Sequence, residues 1–191
     1  MASTPNNAAN VSTGKGVAGG YMFVAPLGAT LPTDNTTALD AAFLNMGYLG
    51  EDGITFSDSA DVTSHPDMNG DTIDTSQGAV EKSFTVVFVE IKKDTLAITR
   101  GSANVTDESG MITAHDKGPS DEAHAVVFEL LLKNGRKWRR VGESVKLGEL
   151  GDMNVVYTDL VGREVTMAVT KGTESGDYWT DYIDSTETEK A

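Results

Sequence analysis

The stretch EKSFTVVFVEIKKDTLAITRG, residues 81–101, decides the fold. Its first half alternates with a period of two: Phe84, Val86 and Phe88 share one face, with Glu90 at the end. The other face carries Ser83, Thr85, Val87, Val89 and Ile91, polar at first and then apolar, as in a strand covered on both sides for much of its length. From Lys92 the period changes. Ile91, Thr95 and Ile98 fall at i, i+4 and i+7, Arg100 lies in the last turn, and Gly101 stands where a helix would stop. The spacing predicts a helix over 92–100. Thr and Ile are mediocre helix formers, so packing must hold it.

Strands dominate on either side of this unit. Towards the C-terminus, residues 124–133 set His124, Val126, Phe128, Leu130 and Leu132 on one face and Ala125, Val127, Glu129, Leu131 and Lys133 on the other. Asn134–Gly135 follows, the strongest short hairpin signal in the chain, because both residues accept positive φ. The return is expected over 136–141, with short strands at 144–147 and 154–157 and a last long one over 160–170. That last strand sets Val161, Val165, Met167 and Val169 on one face, which Arg163 interrupts. Residues 111–114 read as a further short strand.

Towards the N-terminus, residues 21–26 read as a strand closed by Pro26. ALDAAFLNM, 38–46, reads as a short helical turn with Leu39, Phe43 and Met46 on one face. Residues 47–49 and 53–57 read as two short strands joined by Glu51–Asp52–Gly53, with positive φ at the glycine. Residues 59–79 are polar and too long for a structureless loop inside a compact domain, so they read as the end of a long β-hairpin or as an extended loop. Contact with another subunit and a mobile surface loop are both compatible with that composition.

These elements make a mainly β protein: two packed antiparallel sheets, a β-sandwich or barrel-like pair, with one flanking α-helix. The expected organisation is a flexible arm over 1–19, a β-domain over 20–172 and an acidic tail over 173–191. Tyr178, Trp179, Tyr182 and Ile183 in the tail are available for packing, and its end, DSTETEKA, is expected to fray.

Composition sets limits on function. The chain has 191 residues, 39% hydrophobic and 23% charged, and no cysteine, which excludes disulfides and thiolate chemistry. No apolar run approaches the roughly 20 residues of a membrane helix. No basic segment followed by an apolar one opens the sequence, so no secretory signal is expected. A formal net charge of −14 disfavours tight wrapping of nucleic acid.

Catalytic and ligand motifs are wanting. There is no P-loop, no Rossmann glycine fingerprint and no G-x-S-x-G elbow. The acid pairs Glu51/Asp52 and Asp107/Glu108 lie in turns, without the cleft that glycosidase chemistry needs. His65, His115 and His124 have no second histidine at ligand spacing, and His124 reads as a hydrogen-bonded core or interface residue. DMNGDTID, with Asp67, Asn69, Asp71 and Asp74, matches a calcium loop poorly: the positions that need Gly and a bidentate Glu hold Thr72 and Gly78. No enzyme activity, metal or cofactor is expected.

One patch reverses the sign of the charge. Lys133, Arg136, Lys137, Arg139 and Arg140 surround Trp138 on the Asn134–Gly135 hairpin. Such interleaving suits nucleic acid, a solvated hairpin, or an ionic contact with an acidic loop or tail of an adjacent copy. In a chain this acidic the last is preferred.

The sequence also resembles the major tail protein, or tail tube protein, of long-tailed bacteriophages of the siphophage type. The resemblance rests on GYMFVAPLGATLPTDNTTALDAAFLNMGYLGEDGITFSDS (20–59), the acidic loop, FTVVFVEIKKDTLAITRG, the basic hairpin and the last long strand, in that order, over about 16–170. It implies a structural virion protein of the tail. Six copies would close into a ring, and stacked rings would form a tube whose acidic lumen conducts the genome during ejection. The implied partners are further copies, a tape-measure protein, a terminator and baseplate or distal tail proteins, assembled in the host bacterial cytoplasm. DNA would pass without specific binding, and no membrane is involved. By position, 59–79 matches the family's inter-ring loop, with Asp61, His65, Asp67, Met68, Asp71, Ile73 and Asp74 as candidate contacts. An additional immunoglobulin-like domain, which some relatives carry, is not expected before Ala191. The alternative reading is a receptor- or carbohydrate-binding β-sandwich of a phage tail, which would need an aromatic platform.

Overall fold

A computed structural model describes residues 6 and 8–185. In chain order the strands are β1 (Gly14–Gly16), β2 (Met22–Pro26), β3 (Leu44–Asn45), β4 (Leu49–Pro66), β5 (Thr72–Phe88), β6 (Val105–Glu108), β7 (Met111–Ala114), β8 (Ala123–Leu132), β9 (Lys137–Asn154), β10 (Gly162–Thr170) and β11 (Thr180–Ile183). A single α-helix, α1 (Lys93–Arg100), and three short 3-10 turns complete the described elements. The chain forms two compact units. One comprises the residues up to 48 with 123–144 and those from 171 onward, and the other 49–122 with 145–170.

In the first unit β8 is the central strand. It pairs antiparallel with β2, from Met22 opposite Phe128 to Pro26 opposite His124, while β3 pairs with the other side of β2. The turn into β9 has φ of 65° at Asn134 and 79° at Gly135, as the dipeptide predicts. Both faces of β8 are buried: Ala125, Val126, Val127 and Phe128 are all at most 1% exposed. Ala125 and Val127 pack with Ala25, Phe43 and Val141, supported by Phe23, Leu31, Leu39 and Tyr182. Phe128 instead meets Trp179, with ring centroids 6.1 Å apart. The aromatic end of the tail thus covers this unit, and β11 extends β9, from Thr180 opposite Val141 to Ile183 opposite Trp138. Of DSTETEKA, only Asp184 and Ser185 are described; the expected fraying falls beyond them.

Two expectations change here. Residues 38–46 are not helical. The Asp40 carboxylate accepts the Ala42 amide at 2.8 Å and its carbonyl accepts the Phe43 amide at 3.0 Å, which sets a turn. The chain then pairs Leu44–Asn45 with β2. Phe43 and Met46 are buried all the same, so the apolar spacing marked core residues and not a helix. Within the expected flexible arm, Gly14–Gly16 pairs with the end of β8, from Gly14 opposite Leu132 to Gly16 opposite Leu130.

In the second unit β5 lies between β4 and β10. Val86 faces Val165 and Phe84 faces Met167 across the β5–β10 pair, and all four are at most 1% exposed. On the other face Thr85 and Thr166 share a hydroxyl hydrogen bond of 2.8 Å. The helix forms where its spacing put it and ends at Gly101, φ 88°. Thr95 and Ile98 are buried, whereas Ile91 precedes the helix and is exposed, so it is not part of the packed stripe. β6 and β7 form a small separate hairpin.

The long strands correct the two other expectations. Residues 47–49 and 53–57 do not flank a turn. They belong largely to one 18-residue strand, β4, whose register slips between Leu49 and Ile54. Gly53, φ 71°, sits in that irregularity, so the positive φ was right and its role is a bulge. Likewise 136–141, 144–147 and 154–157 are not three strands: β9 runs unbroken from 137 to 154. Gly148 within it would place a Cβ 3.2 Å from the Thr166 carbonyl oxygen, so the glycine serves close approach to β10 rather than a turn.

Candidate assembly surfaces

The long segment 59–79 is the distal half of the β4–β5 hairpin. Pairing continues from Ser57 opposite Ser83 to Pro66 opposite Thr72, with slips at Ala60/Val62 and His65/Pro66. Every residue from 57 to 66 and from 68 to 79 is exposed on both faces of the ribbon. At about 3.3 Å per residue the exposed part extends roughly 30 Å. Its root is tied by an ion pair of 2.8 Å between Lys82 and Asp58.

The tip is a built turn. Asp67 accepts the amides of Asn69 at 2.8 Å and Asp71 at 2.9 Å, and its own amide donates to the Asp71 carbonyl at 2.8 Å. The Asp71 amide, and after it that of Asn69, holds the Asp67 carboxyl below the usual carboxylate range. Its oxygens therefore shape the turn. Among the described residues no cluster of His, Asp or Glu is arranged to hold a metal. His65 Nε2 lies 3.0 Å from Ser76 Oγ across the ribbon, and Asp74 accepts the Thr75 amide at 2.8 Å. Asp61 lies beside Gly78, where a Cβ would stand 3.3 Å from its own. Met68, beside the turn, is 102% exposed, and Ile73 and Val62 are exposed as well.

The basic turn is arranged differently from its sequence. Arg139 is buried: its Nε donates to Glu129 at 2.7 Å, Nη2 lies 2.6 Å from the same carboxylate, and Nη1 donates to the carbonyls of Asp34 and Thr37. Arg140 forks onto Asp181 with two bonds of 2.8 Å, and its guanidinium lies over the rings of Trp138 and Trp179. Trp138 Nε1 also donates to Asp181 at 2.7 Å. Burial alone would raise the Asp181 carboxyl, but the bonds from Arg140 and Trp138 outweigh it and keep it below the ordinary range. Arg136 Nε donates to the Asp184 carbonyl and the Lys137 amide to the Asp184 carboxylate. Within the subunit, Arg136 and Arg140 are thus held by the chain's own tail, and Arg139 by Glu129 of β8. Lys133 and the residue Lys137 remain exposed.

Two features were not read from the sequence. Glu143 in β9 gathers the 173–175 turn: its carboxylate accepts the amides of Glu174 and Ser175 and the Thr173 hydroxyl, at 2.9 to 3.1 Å. In the second unit an apolar cavity of about 160 Å³ opens between α1 and the start of β10, lined by Phe88, Leu96, Met153, Val161 and Val165. Beside it the 155–160 connection exposes Val155, Val156, Tyr157 and Leu160. Period-two reading assigned these residues to a strand and so missed their exposure.

These surfaces offer exposed apolar and acidic residues for contact with other chains. A model of the family described as phage tail tube protein matches residues 5–188. The chain belongs to that family. It is a structural protein of the phage tail, a tube subunit that associates with further copies and with other tail proteins. Its mainly β architecture with antiparallel sheets and one helix is the one expected of a tail tube protein. No curated protein sequence matches it. Among solved structures it is similar to a chain of a cryo-EM structure of an extracellular contractile injection system, a PVC sheath-tube complex in the extended state. The TM-score is 0.40 at 11% identity, covering 86% of this chain and 89% of that one. Among the described residues no helix of this tail protein is long and apolar enough to cross a membrane.

Proposed function

We propose that six copies of this tail tube protein close into a ring and that rings stack into a tube whose acidic lumen conducts the genome during ejection. The tube would grow in the host cytoplasm around a tape-measure protein, from a baseplate or distal tail protein to a terminator. The observation that carries this reading is the β4–β5 ribbon. A two-stranded hairpin exposed on both faces is marginally stable alone, and this one exposes Val62, Met68 and Ile73. β4 also ends its sheet, so its outer edge offers unpaired backbone groups along a strand of 18 residues. Pairing such edges around a ring removes them, and head-to-tail stacking of rings propagates without closing. A net charge of −14 supports a lumen along which DNA phosphates slide without sticking. The aromatics that a carbohydrate platform would use, Trp138 and Trp179, lie beneath Arg140, which disfavours the receptor-binding alternative.

Electron microscopy of the purified protein over a concentration series tests this. Rings with sixfold averages and tubes of uniform bore are expected. Particles that stay monomeric at every concentration would count against it.

A further inference from the structure

We infer that the apolar cavity beside α1 is the seat for the hairpin tip of a second copy, with Met68 as the side chain that fills it. This rests on the tube reading and goes beyond it by naming both halves of one contact.

The two halves fit in size and chemistry. Met68 is fully exposed at the turn of a ribbon exposed on both faces. The cavity measures about 160 Å³, near the roughly 150 Å³ of an apolar cavity that admits a benzene-sized group. Methionine, unbranched and polarisable, suits such an irregular apolar site. Met153 and Val161 line the cavity, and the connection between them exposes Val155, Val156, Tyr157 and Leu160, apolar surface that Ile73 and Val62 could meet.

Charge favours the same pairing. Between Asp58 and Val80 the hairpin carries five aspartates and no lysine or arginine. The cavity wall includes Arg100 and Arg163, with Glu90 as its one acidic residue. Arg100 donates to the Ala114 carbonyl at 3.2 Å and lies 3.8 Å from Asp116, and Arg163 donates to the Gly151 carbonyl at 3.1 Å; with five N–H donors each, both have donors left for an incoming carboxylate.

A hairpin cannot serve its own cavity. The tip follows from Thr72 at one end of β5, and Phe88 in the cavity wall stands at the other end. Sixteen residues of strand separate them, about 50 Å at 3.3 Å per residue. The occupant is therefore a second copy. Because knob and seat lie on different parts of the subunit, the contact can repeat head to tail, as the stacking of rings into a tube requires.

The absence of native cysteine makes the test clean. Met68→Cys is combined with Leu96→Cys or, as a second pair, with Val161→Cys. Met68→Cys with Leu44→Cys is the control, and each sample is assembled, imaged and oxidised. A disulfide needs Cα atoms within about 7 Å, so a ladder of covalent multimers is expected from the first two pairs and not from the control or from Met68→Cys alone. In parallel, Met68→Asp is expected to raise the concentration needed for tubes by about tenfold to a hundredfold, the worth of one buried methionine. Tubes without a ladder from either pair, equal ladders from the control, or Met68→Asp tubes at the wild-type concentration would each overturn the inference and leave the tube reading standing. If neither double variant assembles, the Met68→Asp shift decides. A wild-type protein that forms no tubes would overturn both.

Discussion

Replacing Arg139 by methionine tests the reading of the basic turn as part of the folded subunit. The guanidinium is 5% exposed as a residue and makes two contacts with Glu129 and two with backbone carbonyls. Arg139→Met would leave the Glu129 side chain, 16% exposed, with its charge uncompensated. Removing one partner of a buried pair costs about 3–5 kcal/mol. The carbonyls of Asp34 and Thr37 add little, because Thr37 is exposed and Asp34 half-buried, within reach of water. A loss of that size is a large part of the roughly 5–15 kcal/mol of a typical domain. The double variant Arg139→Met/Glu129→Leu removes both charges and is expected to recover most of the loss, since apolar replacement of a whole buried pair is often neutral. Urea unfolding of unassembled protein, followed by the fluorescence of Trp138 and Trp179 in the same unit, measures both variants. A single variant within about 1 kcal/mol of wild type, or a double variant no more stable than the single, would refute the argument.

Gly142→Ala would set a Cβ 2.7 Å from the Trp179 ring and 3.1 Å from Val126, and the overpacking is expected to cost about 1–3 kcal/mol in the same titration. Burial of Glu143 would raise its carboxyl, yet the bonds from Glu174, Ser175 and Thr173 hold it at about 2, below the ordinary 4.5. Its contribution is therefore complete above pH 4.5 and lost as the pH falls towards 2, and Glu143→Gln is expected to flatten that limb of a stability-against-pH curve. Replacing residues 60–79 by a two-residue Asn-Gly turn is expected to leave the urea midpoint close to wild type and to abolish tubes in electron micrographs, because all of those residues but the turn residue Asp67 are exposed within the subunit.

What the sequence made legible follows from which forces act locally. The β5–α1 unit was readable because a change from period two to period 3.6 is a local signal, and Gly101 marks its end. Asn134–Gly135 was readable because positive φ is a property of the residues themselves. The break expected between 141 and 144, and the turn expected at 51–53, failed for one reason. Glycine serves both turns and close backbone approach, and only the partner strand distinguishes them. The fate of the arginines was hidden for a related reason. Arg139 and Arg140 look equivalent in sequence, but alternation in β9 sends one to Glu129 and the other to Asp181, a residue 41 positions away. The hairpin was legible as an alternative to a loop, while the cavity was not, because its lining comes from β5, α1, the end of β9 and the start of β10.

The hairpin's acidity and its exposed apolar residues answer one physical problem. In the proposed tube, a long ribbon that pairs with other copies would also be a template for uncontrolled strand addition. Asp58, Asp61, Asp67, Asp71 and Asp74 place like charges along it, so two ribbons laid side by side repel each other. The turn built on Asp67 holds the end in one shape, which lowers the ordering cost of docking. Apolar contact can then be made only where a complementary surface accepts both Met68 and the aspartates around it. Specificity here comes from the repulsion as much as from the attraction. A chain with the same apolar residues and neutral flanks would gain affinity for itself and lose the choice of where to bind.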